Sequence, residues 1–396
     1  MTGIPLEGLD LVALAGALAA LGADGWLLWD FRKANPITRR ILGAEALGLG
    51  TRRLFIFLPR TGAPVAIAHR IEAHTLAGFP GELRVYGAWR ELTGELRAVV
   101  AGRTVAMEVS DGDAVPYLDR VPWGIVRLVE ALGGRVVSSA DLVTRFAARW
   151  TADELVGHRR AAAALADIAT DALRWAGAET ARGAEVREVT LQRRVLEAME
   201  RAGLETEDAP IAAFQANAAL PHYEPREGSD RRLEAGQVVL LDLWARTGAR
   251  GTFADQTWMA FAGRAPDAEV RRVWDAVRRA RDAVVAALRE RWPRGPVTGA
   301  DLDDAARTVI HEAGFGPFFV HRTGHSIDRD LHGSGPHLDN FETADTRPLI
   351  PGIGFSVEPG VYLPGRFGMR SEINVFLGEV APEVTPPTPQ QDLLSI

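Results

Sequence analysis

Val238-Val239-Leu240-Leu241-Asp242-Leu243-Trp244, followed by Thr252-Phe253-Ala254-Asp255-Gln256-Thr257, sets one aspartate inside each of two apolar runs. Runs of this length and composition read as strands, and the Gly248-Ala249 pair between them is turn chemistry. If Asp242 and Asp255 face one another across a hairpin, the turn falls at that pair. The plan recurs in Phe355-Ser356-Val357-Glu358-Pro359-Gly360 and Met369-Arg370-Ser371-Glu372-Ile373-Asn374, where pairing Glu358 with Glu372 centres the turn on Gly365. A lone acid in a buried strand is costly unless it is paired or bound to a cation. Four of them in two apolar hairpins call for a shared cation.

Between the hairpins lie His321-Arg322-Thr323-Gly324-His325-Ser326-Ile327 and His332-Gly333-Ser334-Gly335-Pro336-His337. One imidazole beside four carboxylates gives a ligand charge of about −4, which two divalent ions balance. Oxygen-rich ligation with a single imidazole favours Mn²⁺, with Co²⁺ or Zn²⁺ as alternatives. Two ions roughly 3.5–4 Å apart can bind and deprotonate a bridging water and polarise a scissile carbonyl, so the expected chemistry is hydrolysis.

Outward from this core the chain divides in two. Residues 1–150 alternate short apolar strands (Gly25–Trp29, Arg53–Leu58, Pro64–Ala68, Thr104–Met107, Arg135–Ser138) with helical stretches, the pattern of an α/β domain. Residues 151–396 begin with Thr151-Ala152-Asp153-Glu154, a capping box, and a long Ala-rich helix running toward Gly177. Further helices are expected at Ala184–Ala202, Asp267–Trp292 and Thr298–Gly314. Each helix pair precedes a strand region, which reads as an internal pseudo-duplication of an α+β domain. The Pro-rich tail after Pro382 reads as a solvated end.

The formal charge of −7 lacks the basic footprint of a nucleic-acid binder, and the arginine-rich stretch Arg271–Arg291 is interleaved with acids, as on a solvated face. The run Leu11–Trp29 is broken by Asp24-Gly25, and the uncharged part ending at Leu21 is shorter than the roughly 20 residues that span a bilayer; a docked helix followed by a strand is expected, with no membrane partner. With no cysteine, disulfides and thiolate ligands are excluded, which fits a cytoplasmic protein. His69, His74, His158 and His311 have no partners in sequence and read as surface or structural residues, and His337 as peripheral.

The ordered set Asp242, Asp255, His325, Glu358, Glu372, with Asn217-Ala218-Ala219-Leu220-Pro221-His222 upstream and His332 seven residues beyond His325, resembles the pita-bread metallopeptidases. That family includes prolidase, aminopeptidase P, methionine aminopeptidase and the metal-free creatinase. The preceding α/β domain is similar to that of prolidase, aminopeptidase P and creatinase, and is lacking in methionine aminopeptidases. The resemblance implies that Asp242 binds one ion, that Asp255 and Glu372 bridge both, and that His325 and Glu358 complete the other, with Glu358 also the proton shuttle. It implies that His222 lies beside the scissile bond, that His321 and His332 contact substrate and stabilise the tetrahedral intermediate, and that Arg370 is the active-site arginine two residues before the last metal-binding Glu. Two departures stand out. The aspartates are 13 apart, a longer spacing than the family's, and Asp255-Gln256-Thr257-Trp258 lacks the usual arginine after threonine.

In relatives with this layout the amide cleaved precedes proline. The implied function is an Xaa-Pro dipeptidase acting on small peptides, a homodimer, with an Xaa-Pro aminopeptidase, a creatinase-like amidinohydrolase and a non-catalytic binding protein as alternatives. A dipeptidase must clamp a free carboxylate, for which arginine is suited. Arg370 and the N-terminal loop from Asp30 to Arg40 offer candidates, with Asp30, Arg39 and Arg40 as the expected substrate-binding residues.

Overall fold

The structure, a computed structural model, describes residues 5–43 and 50–396. Two compact units divide the chain, Met1–Ala148 and Arg149–Ile396.

In the first unit, strands β1 (Gly25–Asp30), β2 (Leu54–Pro59), β3 (Val65–His69), β4 (Glu82–Tyr86), β5 (Thr104–Met107) and β6 (Arg135–Ser138) form one mixed sheet in the order β4-β3-β2-β1-β5-β6. Side chains alternate across it, as a period of two requires. Trp26, Leu28, Ile56 and Leu58 meet α1 (Leu11–Leu21), α2 (Pro36–Leu42) and α5 (Ala140–Phe146) on one face. Leu27, Trp29, Phe55 and Phe57 meet α3 (Trp89–Val100) and α4 (Trp123–Ala131) on the other. The result is the expected α/β layering. Helix α1 starts where Asp10 accepts the N–H groups of Val12 and Ala13, and no helix among the described residues is long and apolar enough to cross a membrane. The segment carrying Arg39 and Arg40 is a helix and not the expected loop, because Asn35 caps it and Pro36 supplies a ready-made first turn.

The second unit opens with α6 (Ala152–Ala181), whose N-cap Thr151 and Glu154 form the expected capping box. The helix does not stop at Gly177. A Cβ there would come within 2.5 Å of Ile396, so this glycine admits a close neighbour and does not end the helix. Helix α7 (Glu188–Arg201) follows and ends before Gly203, whose φ of +69° suits glycine. Next come β7 (Ile211–Phe214), β8 (Val238–Ala245) and β9 (Ala254–Phe261), then α8 (Ala268–Arg291) and α9 (Gly299–Glu312) with N-caps Asp267 and Thr298. The remaining strands are β10 (Ser326–Ile327), β11 (Gly354–Val357), β12 (Gly360–Leu363), β13 (Phe367–Arg370), β14 (Ile373–Leu377), β15 (Pro382–Thr385) and β16 (Leu394–Ser395). They form sheets ordered β16-β9-β8-β7 and β10-β11-β14-β15, with β12 and β13 as a separate hairpin.

The tail after Pro382 is not a solvated end. Strand β15 pairs with β14, Gln390 is buried, and β16 adds a parallel edge to β9. Its prolines lie outside or at the start of the ladders, where the missing N–H is tolerated. Val239, Leu241 and Leu243 of β8 and Ala254, Trp258 and Ala260 of β9 pack with α6 and α7 in one apolar cluster. Alternation therefore sends Asp242, Asp255 and Thr257 to the opposite face, and that choice positions the site.

Candidate metal centre

Asp242 does not sit directly across from Asp255. The register pairs Asp242 with Thr257 and Trp244 with Asp255, a shift of two residues from the expected pairing. A shift of two keeps both acids on the same face, whereas a shift of one would have separated them. The longer spacing is taken up by the connection between Ala245 and Ala254, where Gly248 has a φ of +81°. In the second hairpin the register of β12 with β13, Gly360 to Arg370 and Leu363 to Phe367, extends without slip to β11 and β14, where Val357 pairs with Ile373. Glu358 and Glu372 lie opposite each other in the break between these ladders, and Gly365, at φ +72°, makes the turn.

The two hairpins and the histidine loop converge. His325 Nε2 is 3.3 Å from Asp255 Oδ2 and 3.4 Å from Glu358 Oε1. One ligand atom each from Asp255, His325 and Glu372 lie within 4.8 Å of one another, all three residues buried. His325 Nδ1–H donates to the Ser326 carbonyl at 3.1 Å, which leaves the Nε2 lone pair facing the carboxylates, the tautomer a metal ligand needs. Asp242 is joined to the group by Arg370, whose Nη2 donates to Asp242 Oδ2 while Nε donates to the Thr257 hydroxyl at 2.8 Å. Asn374 locks the hairpins together: its side chain accepts the Asp255 N–H at 2.9 Å and donates to the Asp255 carbonyl at 2.8 Å.

Burial makes these charges expensive. It pushes Asp242 up to about 7, against the pull of Arg370, and together with the Glu358 charge pushes Asp255 up to about 8. Glu372 is raised well above the usual carboxylate range by burial and by Asp255, Glu358 and Asp242. Burial also raises Glu358, but His325, Arg370 and His321 outweigh it and hold that carboxyl down to about 2. Asp255 Oδ1 and Glu372 Oε1 are buried with no hydrogen-bond partner among the described residues. Unsatisfied buried carboxylate oxygens beside a correctly presented imidazole fit a divalent cation.

Three histidines rim this group. His321 Nδ1–H donates to the Arg322 carbonyl at 2.7 Å, and its Nε2 accepts from the Tyr362 hydroxyl at 2.8 Å. His332 is exposed, with its ring 4.3 Å from that of His325, a second imidazole that disfavours a charge on it and lowers its pKa; His222, also exposed, is near enough to lower it further. Glu188 fastens the His222 loop, accepting from Phe214 N at 2.6 Å, Asn217 Nδ2 at 2.9 Å, Tyr223 Oη at 2.6 Å and Arg231 N at 2.8 Å.

Residues 157–379 match the sequence profile of metallopeptidase family M24. The chain belongs to metallopeptidase family M24. It is 33% identical over 336 residues to a probable dipeptidase PepE of Mycobacterium bovis, covering 82% of this chain and 80% of that one. An Xaa-Pro dipeptidase of Pyrococcus furiosus is 30% identical over 213 residues, 54% of this chain and 57% of that one. Among solved structures, the dipeptidase PepE of Mycobacterium ulcerans matches with a TM-score of 0.76 and 26% identity, covering 97% and 96% of the two chains. A prolidase of Thermococcus sibiricus shares the fold at a TM-score of 0.71 and 21% identity, covering 98% and 100%. The M24 chain described here thus has the pita-bread fold behind an α/β domain, as its sequence implies.

Several parts of this M24 site escape sequence reading. Thr257, Asn374, Ser356 and Tyr362 are polar residues in apolar strands, recognisable only once the register is known. Ser356 Oγ accepts the His325 N–H at 2.9 Å and lies 3.0 Å from Glu358 Oε1. His337 is not peripheral: it is wholly buried, and its Nδ1 accepts the Ser326 N–H at 3.1 Å beside His325. His158 is buried too, its ring bridging the Phe253 carbonyl and the Thr385 hydroxyl, each at 2.7 Å.

In the first unit, Asp30 is structural. It is buried, and its carboxylate accepts the N–H groups of Asn35 at 2.9 Å and Lys33 at 3.1 Å, which forms the turn into α2. Arg39 and Arg40 occupy the last turn of α2, where cations complement the helix dipole. Arg370, expected to be available to a substrate carboxylate, is buried against Asp242 and Thr257.

Proposed function

We propose that this M24 metallopeptidase is an Xaa-Pro dipeptidase that works with two divalent ions. The observation that carries the proposal is the convergence of Asp255, Glu372 and His325 with buried carboxylate oxygens left unsatisfied. Asp242 would hold one ion, Asp255 and Glu372 both, and His325 with Glu358 the other. Bound there, divalent ions supply Lewis acidity toward water and toward the scissile carbonyl. The four carboxylates outnumber the imidazole, which supports Mn²⁺ as the metal, with Co²⁺ or Zn²⁺ as alternatives.

The chain's own residues do the rest. Glu358, kept ionised by the buried guanidinium of Arg370, is the proton acceptor, and it returns that proton to the leaving amine. His321 is neutral, because burial lowers its pKa, and its ring is fixed by Arg322 and Tyr362. His222 and His332 on the rim donate to the substrate and to the oxyanion that develops. Arg370 orients Asp242 and opposes the rise in its pKa that burial causes. The names of the relatives support a dipeptidase: probable dipeptidase over most of the chain, Xaa-Pro dipeptidase over about half of it. The homodimer and the cytoplasmic location rest on the family resemblance and on the absence of cysteine.

Dialysis against a chelator tests this reading. Activity on an Xaa-Pro dipeptide should vanish and return with Mn²⁺; activity that survives metal removal would overturn it.

A further inference from the structure

Arg281, on α8, has no accessible surface at all. Its Nε and Nη2 donate to Asp282 Oδ1 at 2.9 and 2.7 Å, but Asp282 is its sequence neighbour and its side chain is 43% exposed. Nη1 does something different. It donates to Ser371 Oγ at 2.9 Å and to the Gln390 carbonyl at 2.7 Å. Both partners lead to the candidate metal centre. Ser371 stands between Arg370 and Glu372, which both reach Thr257, while Ser371 itself reaches Arg281. The Gln390 amide grips strand β9, accepting the Met259 N–H at 2.9 Å and donating to the Met259 carbonyl at 2.7 Å, four residues beyond Asp255.

We infer that Arg281 is a positioning residue for the centre: one guanidinium nitrogen ties the segment bearing Glu372 to the clamp on the strand bearing Asp255. The inference rests on the reading that Asp255 and Glu372 hold metal. Stability is a weak reason for such a residue, because apolar side chains of similar volume commonly replace buried ions at no loss. Two directed hydrogen bonds from one nitrogen cannot be replaced that way. They fix the separation of two carboxylates that must share a ligand, and partners one step behind a metal ligand typically set metal affinity by about 10–100-fold. The acids interleaved along α8 made the whole arginine-rich helix read as solvated, yet Arg281 lies on its buried stripe with Val277, Ala280 and Val284.

The test is a calorimetric titration of the chelator-stripped full chain with Mn²⁺ alone. Arg281→Met should weaken Mn²⁺ binding by about 10–100-fold while far-UV dichroism stays unchanged. Ser371→Ala should shift affinity in the same direction by less. The double variant should bind no more weakly than Arg281→Met, because both changes cut one connection. Glu372→Ala serves as the control and should lose an ion. Wild-type affinity in Arg281→Met or Ser371→Ala, or losses that multiply in the double variant, would overturn the role of Arg281 while leaving the metal reading intact. If Arg281→Met does not fold, Ser371→Ala decides alone. Unchanged binding in Glu372→Ala would instead overturn the metal reading and the inference with it.

Discussion

Arg370 Nε donates to the Thr257 hydroxyl at 2.8 Å, which leaves that hydroxyl's own proton to be shared between Glu372 Oε2, 2.7 Å away, and Asp242 Oδ1, 3.2 Å away. The pair passes orientation from a buried guanidinium to the Glu372 carboxylate. Thr257→Val keeps the shape and removes the relay. Mn²⁺ affinity or turnover should fall about 10–100-fold with the thermal midpoint little changed. Affinity and turnover at the unmutated level would show that Thr257 only fills space.

The acids have distinct expected phenotypes. Asp255→Ala and Glu372→Ala should each abolish activity and reduce bound metal to one ion or none, since in the proposed assignment each would remove a bridge. Asp242→Ala should mainly empty one site. Elemental analysis of the purified variants reads this directly, and two retained ions in Glu372→Ala would refute the assignment.

The rim histidines should behave otherwise. His222→Ala and His332→Ala should keep their metal and lose about 10²–10³ in kcat, the effect of removing a donor to a developing oxyanion. Loss of metal in either variant would move that histidine into the ligand set, and full turnover would remove it from the mechanism.

His158 gives a pH dependence. Burial holds it down to about 4, against an ordinary 6.5, so it stays neutral in the folded chain. Its stabilising contribution is complete above pH 6.5. As pH falls from there, the unfolded chain takes up the proton first, and the contribution is lost as pH approaches 4. The full loss is about 3 kcal/mol. His158→Gln should flatten denaturant stability across that window, and an unchanged slope between pH 6.5 and 4 would contradict the buried neutral ring.

Much of this was legible from residue order. Two aspartates in apolar runs, two glutamates around Gly365 and one Gly-His loop mark the centre, because few other arrangements justify so many acids in strands. The strand β4 was not legible: Glu82-Leu83-Arg84-Val85-Tyr86 lies on a sheet edge, mostly exposed, and carries too little apolar pattern. Nor was the register of β8 on β9, since a shift of two residues leaves every side chain on its proper face and changes only the turn. The prolines after Pro382 suggested a solvated tail, but the ladder and the Gln390 clamp that bury it involve residues far away in sequence. Sequence equally marked Asp30 as a substrate residue, whereas the N–H groups it accepts are local and need no substrate.

The most direct test of the central claim is a rate comparison on the Mn²⁺-loaded, unmutated chain, with Xaa-Pro dipeptides against the matching Xaa-Pro-Yaa tripeptides. The account predicts rapid cleavage of the dipeptides, abolished by chelation, and almost none of the tripeptides. Efficient tripeptide cleavage, or metal-independent cleavage of either, would contradict it.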